Sequence, residues 1–324
     1  MNLLPRREEL TIHFAHSAYR MAERFLSRDT GIRHFQTWTQ EETRSQMGGA
    51  EVLVISGFWR DDLLETAVDL RYIQTISAGY EQFPLDELRT RTVRLANASG
   101  VNADAVSHHA MGLVLALARQ LHLARDQQRN RYWRPMISDR AQREDDLCEQ
   151  TMLIIGLGEI GSRLAKLAKT FGMRVLGVKQ DITRHDGTAD EVYAPQQLPR
   201  LFSQADFVVL CCPLTSSTRN VIDAGAFSAM KVAGYLVNVA RGGCVDEAAL
   251  ATALTTGQIA GAAIDHFCDE PLPADSPFWS MDNLIITPHS AGETRKYEDN
   301  VIDILIENMD RLWIGNEKLV NQIL

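Results

Sequence analysis

The sequence lacks an excess of positive charge: 33 Lys+Arg stand against 42 Asp+Glu, a formal balance of 33 − 42 = −9. Nucleic-acid binding driven by counterion release needs the opposite sign, so a DNA- or RNA-binding role is disfavoured. Paired cysteines are lacking too. The five present (Cys148, Cys211, Cys212, Cys244, Cys268) are odd in number and contain no C-x-x-C pair, which argues against a disulfide framework or a zinc site and for a reducing compartment. No uncharged apolar run reaches the about 18 residues of a membrane span, and the start from Met1 to Arg7 brings charge directly after two Leu where a signal sequence would be apolar. Internal repeats and low-complexity segments are absent. The expectation is a soluble, untargeted, cytoplasmic protein with neither nucleic acid nor membrane among its partners.

What is present is an ordinary globular chain of 324 residues, 45% hydrophobic and 23% charged, long enough for about two domains. Short apolar runs alternate with longer helical patterns, the signature of βαβ units and parallel sheets. Strands are expected over residues 10–14, 52–55, 72–77 and 93–96, which make a small α/β unit. A long helix over residues 105–129 follows, apolar in its first half and charged in its second. Its tail, Tyr132 and Trp133, and the acidic run from Glu144 to Asp146 read either as a solvated loop or as a dimer arm anchored by Trp133. A second series of strands, over 151–155, 174–178, 207–211, 235–239, 261–265 and 284–287, describes a doubly wound sheet of six strands. After His289 comes an amphipathic helix with Val301, Ile304, Leu305, Asn308 and Leu312 on one face.

Gly156-Leu157-Gly158-Glu159-Ile160-Gly161 follows an apolar strand and precedes a helical pattern over residues 162–170. In that setting Gly156 permits the tight turn, Gly158 lets backbone approach a pyrophosphate, and Gly161 lets the helix pack close to the strand. The helix N-terminus adds unpaired N–H groups. An acidic residue usually ends the next strand and reads the ribose 2′-hydroxyl of NAD. Here Lys179 takes that place, which favours NADP and its 2′-phosphate, with Arg184 as a second candidate contact; Asp181, two residues on, keeps NAD open.

Three later segments each put an ionisable group where a strand ends: Asn238-Val239-Ala240-Arg241-Gly242, Asp265-His266-Phe267-Cys268-Asp269-Glu270-Pro271-Leu272, and Thr287-Pro288-His289-Ser290-Ala291-Gly292. Ligands of open α/β sheets bind at such carboxyl ends. Together with the phosphate loop these segments resemble the D-isomer-specific 2-hydroxyacid dehydrogenase family, over most of the chain from Ser77 to Gly292. The resemblance implies Arg241, Glu270 and His289 as the catalytic three. His has a pKa suited to giving a proton to a carbonyl that receives hydride, a carboxylate beside it favours imidazolium, and Arg can grip a substrate carboxylate bidentately. It also implies cofactor contacts from Pro213, Thr218, Ala240 and Asp265, and a substrate carboxylate bound by the backbone N–H groups of Ala78 and Gly79.

In architecture the resemblance implies a Rossmann-type domain, residues 103–289, inserted into a smaller flavodoxin-like α/β substrate domain made of residues 1–102 and 290–324. A homodimer would use the helix and arm near residues 105–146. Phe58 and Trp59 read either as pocket walls or as core aromatics. His266 stands where the family has a small apolar residue, and His108-His109 replaces an acidic residue followed by His. None of these has a metal-ligand context, so no metal is expected, and Cys244 reads as an inert small residue. The leading expectation is an NADP-preferring reductase of small 2-keto acids such as glyoxylate or hydroxypyruvate. Alternatives are an NAD-dependent D-2-hydroxyacid dehydrogenase of other substrate preference and a dinucleotide-sensing interaction protein resembling corepressors on this scaffold.

Overall fold

The computed structural model describes residues 4–184, 187–316 and 318–324; Met1 to Leu3 of the start discussed above lie outside them. The chain divides into two compact units, Met1–Asn102 with Thr294–Leu324, and Ala103–Glu293.

In the first unit, β1 (Thr11–Ala15), β2 (Arg33–Thr37), β3 (Val52–Ile55), β4 (Tyr72–Thr75) and β5 (Arg94–Ala96) form a parallel sheet in the order β2-β1-β3-β4-β5. This is the flavodoxin-like order. Alternate residues feed opposite faces: Ile12, Phe14, Val52, Val54 and Tyr72 enter one core, while Leu53, Ile55, Ile73 and Leu95 enter the other. Sequence reading missed β2, whose Arg33, His34 and Gln36 give no apolar run. It is an edge strand that stays partly exposed along most of its length.

The Tyr297–Trp313 helix packs on the first of these cores through Val301, Ile302, Leu305, Asn308, Met309 and Leu312. Ile304 is only half-buried, so the buried stripe is rotated toward Ile302 and Met309 from the expected one. Asn308 is wholly buried but satisfied: its Nδ2 donates to the Tyr72 hydroxyl at 2.9 Å, and its Oδ1 accepts from the Val320 N–H at 2.7 Å. Trp59, one of the two candidate pocket aromatics, is core. It is 2% exposed and lies 4.7 Å from the Phe83 ring, with Nε1 donating to Asp61.

In the second unit, β6 (Thr151–Ile155), β7 (Arg174–Val178), β8 (Glu191–Tyr193), β9 (Phe207–Leu210), β10 (Tyr235–Asn238), β11 (Gly261–Ile264) and β12 (Leu284–Ile286) form a parallel sheet in the order β12-β11-β10-β9-β6-β7-β8. Seven strands stand where six were expected, because β8 is a short, half-buried edge strand without an apolar signature. Both faces are covered, Leu153 and Ile155 of β6 packing on one side and Met152 and Ile154 on the other. Strand order reverses between β6 and β9, which makes the crevice beyond their carboxyl ends the natural ligand position.

The single helix expected over 105–129 is two, Ala103–Ala118 and Leu121–Arg129, separated by Gln120 in a left-handed conformation at φ 49°. The returning chain ends the first helix: the Asp145 N–H donates to the Ala118 carbonyl at 3.2 Å, and Arg119 donates to the Asp145 carbonyl at 3.0 Å. The second helix buries no residue, and beyond it Trp133 and Met136 are 94% and 95% exposed. Among the described residues no helix is long and apolar enough to cross a membrane.

Candidate active site

The phosphate loop leaves β6 at Gly156, whose φ of 103° suits glycine; a Cβ there would come within 2.6 Å of the Cys212 backbone nitrogen just beyond β9. The two central strands therefore meet at their ends only because this residue has no side chain. The following helix, Glu159–Thr170, starts three residues earlier than expected, with Gly158 at its cap. Gly161 faces the Gly156 carbonyl, which an added Cβ would approach to 2.2 Å, whereas a Cβ on Gly158 would meet nothing within 4 Å. Tight packing behind the helix and open space at its N-terminus form a cradle that fits a dinucleotide pyrophosphate. Glu159 in the first turn is paired with Arg163, and Ile160 is partly buried against the core.

Lys179 follows β7 directly and its ammonium donates to the Arg184 carbonyl. Asp181 accepts from the Thr183 hydroxyl and lies 3.5 Å from Arg184, contacts that hold its carboxyl below the usual range, the hydrogen bonds of Thr183 contributing most. After β9, the Thr218 hydroxyl donates to the Pro213 carbonyl at 2.6 Å and closes that loop on itself.

After β10, buried Asn238 shapes the turn: its Oδ1 accepts from the Ala240 N–H at 3.0 Å and its Nδ2 donates to the Arg241 carbonyl at 3.0 Å. Arg241 is exposed, and Gly242 lies so close to the segment after β11 that a Cβ would stand 2.2 Å from the Phe267 carbonyl carbon. Sequence reading gave neither Asn238 nor Gly242 a role, although both stand inside the quoted motif.

β11 and β12 end in register, Ile264 beside Ile286, so the residues that follow them emerge together. Asp265 is the anchor of this region. Its Oδ1 accepts from the Thr287 hydroxyl at 2.6 Å and the Ser290 N–H at 2.9 Å, and its Oδ2 from the Ala291 N–H at 3.1 Å. With a side chain 0% exposed, it organises the loop from within. His109 bonds Thr287 at 3.1 Å, while His108 is exposed. The Asp265 carbonyl accepts from the His289 N–H at 2.9 Å and helps hold that residue at φ 53°.

In that conformation His289 Nδ1 meets Glu270 Oε2 at 2.7 Å, the imidazole N–H donating to the carboxylate, and the side chains are 53% and 36% exposed. The other oxygen of Glu270 accepts from the Phe267 N–H at 3.2 Å. His266 joins them. It is 6% exposed, its ring centroid is 3.8 Å from that of His289, and its Nδ1 is 3.6 Å from Glu270 Oε1. Burial, with His289 and Arg241 adding to it, pushes the His266 imidazole down to about 4 against the pull of Asp265 and Glu270. His266, Glu270 and His289 each offer a ligand atom within 4.8 Å of the others, a proximity that their spacing in the sequence does not announce. Cys244 is fully buried, and all five cysteines are free thiols.

A cavity of about 660 Å³ opens beside Glu270 and His289, walled by Phe267, Leu272, Trp279, Ile286 and Pro288. In the first unit, the Ala78 and Gly79 carbonyls accept from Asn97 Nδ2 at 2.7 Å and the Ser77 hydroxyl at 2.9 Å. Their N–H groups make no hydrogen bond among the described residues.

A Rossmann-type sheet with a glycine cradle at its switch point and a His–Glu pair at its carboxyl edge defines a dinucleotide-dependent oxidoreductase. Residues 111–291 match the family model described as D-isomer specific 2-hydroxyacid dehydrogenase, NAD binding domain, and the chain belongs to that family. Its relatives include glyoxylate/hydroxypyruvate reductase B of Escherichia fergusonii, 33% identical over 290 residues that cover 89% of each chain. D-3-phosphoglycerate dehydrogenase of Methanocaldococcus jannaschii is 32% identical over 288 residues, 87% of this chain and 54% of that one, so this chain spans about half the matched protein. A D-isomer specific 2-hydroxyacid dehydrogenase family protein from Aeromonas salmonicida superposes with a TM-score of 0.83 at 33% identity, covering 98% of this chain and 99% of that one. This membership makes the chain an NAD(P)-dependent oxidoreductase of the D-2-hydroxy acid class.

Proposed function

We propose that the chain is an NADP-preferring reductase of small 2-keto acids, with glyoxylate or hydroxypyruvate as substrate. The observation that carries this reading is the 2.7 Å pair of His289 Nδ1 and Glu270 Oε2 at the edge of the sheet that bears the phosphate cradle. The 33% identity to a glyoxylate/hydroxypyruvate reductase supports the substrate class.

The residue roles follow from chemistry. Gly156, Gly158, Glu159, Ile160 and Gly161 form the turn and helix start that receive the pyrophosphate. Pro213, Thr218 and Ala240 line the rest of the dinucleotide site, and Lys179 gives a 2′-phosphate a cation where an acidic residue would repel it. When bound, the reduced nicotinamide supplies the hydride. Arg241 holds the substrate carboxylate in a bidentate fork, and in the first unit the unbonded N–H groups of Ala78 and Gly79 are of the kind that binds a carboxylate. Glu270 fixes His289 through Nδ1, which leaves Nε2 to give its proton to the carbonyl oxygen as negative charge develops there. In the oxidative direction the same nitrogen takes the proton back.

Trp133 and Met136, almost wholly exposed beyond a helix with no buried residue, fit the arm of a homodimer. The test is a panel of 2-keto acids with NADPH and with NADH, following cofactor absorbance, with His289→Asn as matched control. Turnover in the range of about 1 to 1,000 per second with NADPH, lost in the control while cofactor still binds, is expected. Cofactor binding without turnover on any member of the panel would exclude the reductase in favour of a dinucleotide sensor.

A further inference from the structure

We propose that His266, Glu270 and His289 form a binding site for a zinc-class divalent cation, and that filling it shuts the His289–Glu270 pair down. The donor set is two imidazoles and a carboxylate. This His₂Glu combination suits Zn²⁺ and its borderline-soft neighbours; magnesium and calcium prefer all-oxygen shells.

Geometry supports the set. A tetrahedral ion with bonds of about 2.0–2.1 Å needs ligand atoms about 3.4 Å apart. The separations from the two Glu270 oxygens to the nearer histidine nitrogens, 2.7 Å to His289 and 3.6 Å to His266, bracket that value. The three ligand atoms lie within 4.8 Å of one another, and the half-exposed His289 side chain has room to make the adjustment.

The second observation is His266 itself. It is more than nine-tenths buried, yet its nitrogens have only long contacts, 3.5 Å to Asp265 Oδ2 and 3.6 Å to Glu270 Oε1. A contact at 3.6 Å is too long to count as a hydrogen bond. This buried imidazole therefore faces Glu270 across a gap longer than a hydrogen bond, with a nitrogen free to take up a cation placed between them.

A cation would replace the His289–Glu270 hydrogen bond. With Nδ1 and the carboxylate both committed to a positive ion, the ring keeps its Nε2–H only as a metal-bound neutral imidazole, a far weaker proton donor than an imidazolium, so the carbonyl oxygen is no longer protonated as hydride arrives. The inhibitory consequence rests on the proposed function; cation binding does not, so the two can fail separately.

The test uses the full chain after chelator treatment. Cobalt(II) is titrated in while the visible ligand-field absorption of a tetrahedral site is followed, and zinc is then added as competitor. One cobalt per chain is expected, displaced by one zinc, and zinc should inhibit turnover with the same midpoint. His266→Val should weaken zinc by at least about tenfold, a loss at the lower end of those seen when a metal site is disturbed. Glu270→Gln, on an exposed loop, should do the same and serves if His266→Val does not fold. Cys268→Ser should leave the affinity unchanged, since this exposed thiol lies two residues from Glu270. The proposal is overturned if cobalt gives no tetrahedral spectrum, if His266→Val or a folded Glu270→Gln binds zinc as tightly as the parent, or if Cys268→Ser abolishes the site. Stoichiometric binding without inhibition would keep the site and remove the shutdown.

Discussion

Asp265→Asn should unseat the active-site loop although it changes almost no volume. The carboxylate accepts three hydrogen bonds, from the Thr287 hydroxyl and the Ser290 N–H on Oδ1 and from the Ala291 N–H on Oδ2. An amide presents one oxygen and one NH₂, so whichever way it turns, a donor faces a backbone N–H. One charge-assisted bond is lost and a buried donor is left without an acceptor, together about 2–4 kcal/mol. In a unit the size of this one each kcal/mol lowers Tm by about 2–4 °C, which gives a drop of about 4–16 °C. His289 depends on the same loop, since its N–H donates to the Asp265 carbonyl, so kcat should fall with stability while the phosphate cradle keeps its affinity for the dinucleotide. Calorimetry of the full chain with parallel turnover measurements checks both parts. A Tm within about 1 °C of the parent would refute the reasoning, because it would mean that the loop does not lean on the charge.

Other perturbations have equally definite outcomes. Burial pushes the His13 imidazole down to about 4 from an ordinary 6.5. The folded state therefore holds it neutral, and its contribution is fully present above about pH 6.5 and lost as pH falls toward 4. Between pH 7.5 and 5 this group should cost about 2 kcal/mol of stability, and His13→Leu should flatten that part of the acid-denaturation curve; an unchanged slope would contradict the buried-neutral reading. Gly242→Ala puts a Cβ 2.2 Å from the Phe267 carbonyl carbon. Displacing that segment moves His266 and Glu270, so kcat should drop at least about tenfold with the dinucleotide affinity retained; normal turnover would show that the two loops can part without cost. Lys179→Asp should weaken NADPH relative to NADH at least about tenfold, and an unaltered ratio in equilibrium binding would mean that Lys179 does not read the 2′ group.

What the sequence made legible, and what it did not, divides along a physical line. The central strands are continuous apolar runs because parallel sheets are buried on both faces, and β3 and β7 were bounded to the residue. The edge strands β2 and β8 have half-solvated faces and polar residues, so no periodicity announces them. The break at Gln120 was hidden because its cause lies 25 residues further on, in the Asp145 backbone that takes the Ala118 carbonyl. Within the site, each motif residue could be assigned to a strand end by inspection. What inspection could not supply was proximity between ends.

His266 and His289 touch because β11 and β12 stop in register at Ile264 and Ile286. His289 reaches Glu270 from a left-handed backbone that L-residues adopt at a cost of roughly 1–2 kcal/mol. Asp265 is what connects these facts. Its backbone carbonyl receives the His289 N–H, its carboxylate holds the residues on either side of His289, and it is the immediate neighbour of His266. A buried charge that would otherwise be expensive is compensated by loop donors. The same bonds offset the strain at His289, so the conformation that aims its Nδ1 at Glu270 is maintained from beneath. An apolar residue at position 266 would leave this support intact and remove only the second imidazole. Accordingly His266 can be exchanged to probe the cation site without dismantling the loop, whereas Asp265 cannot be exchanged without losing both.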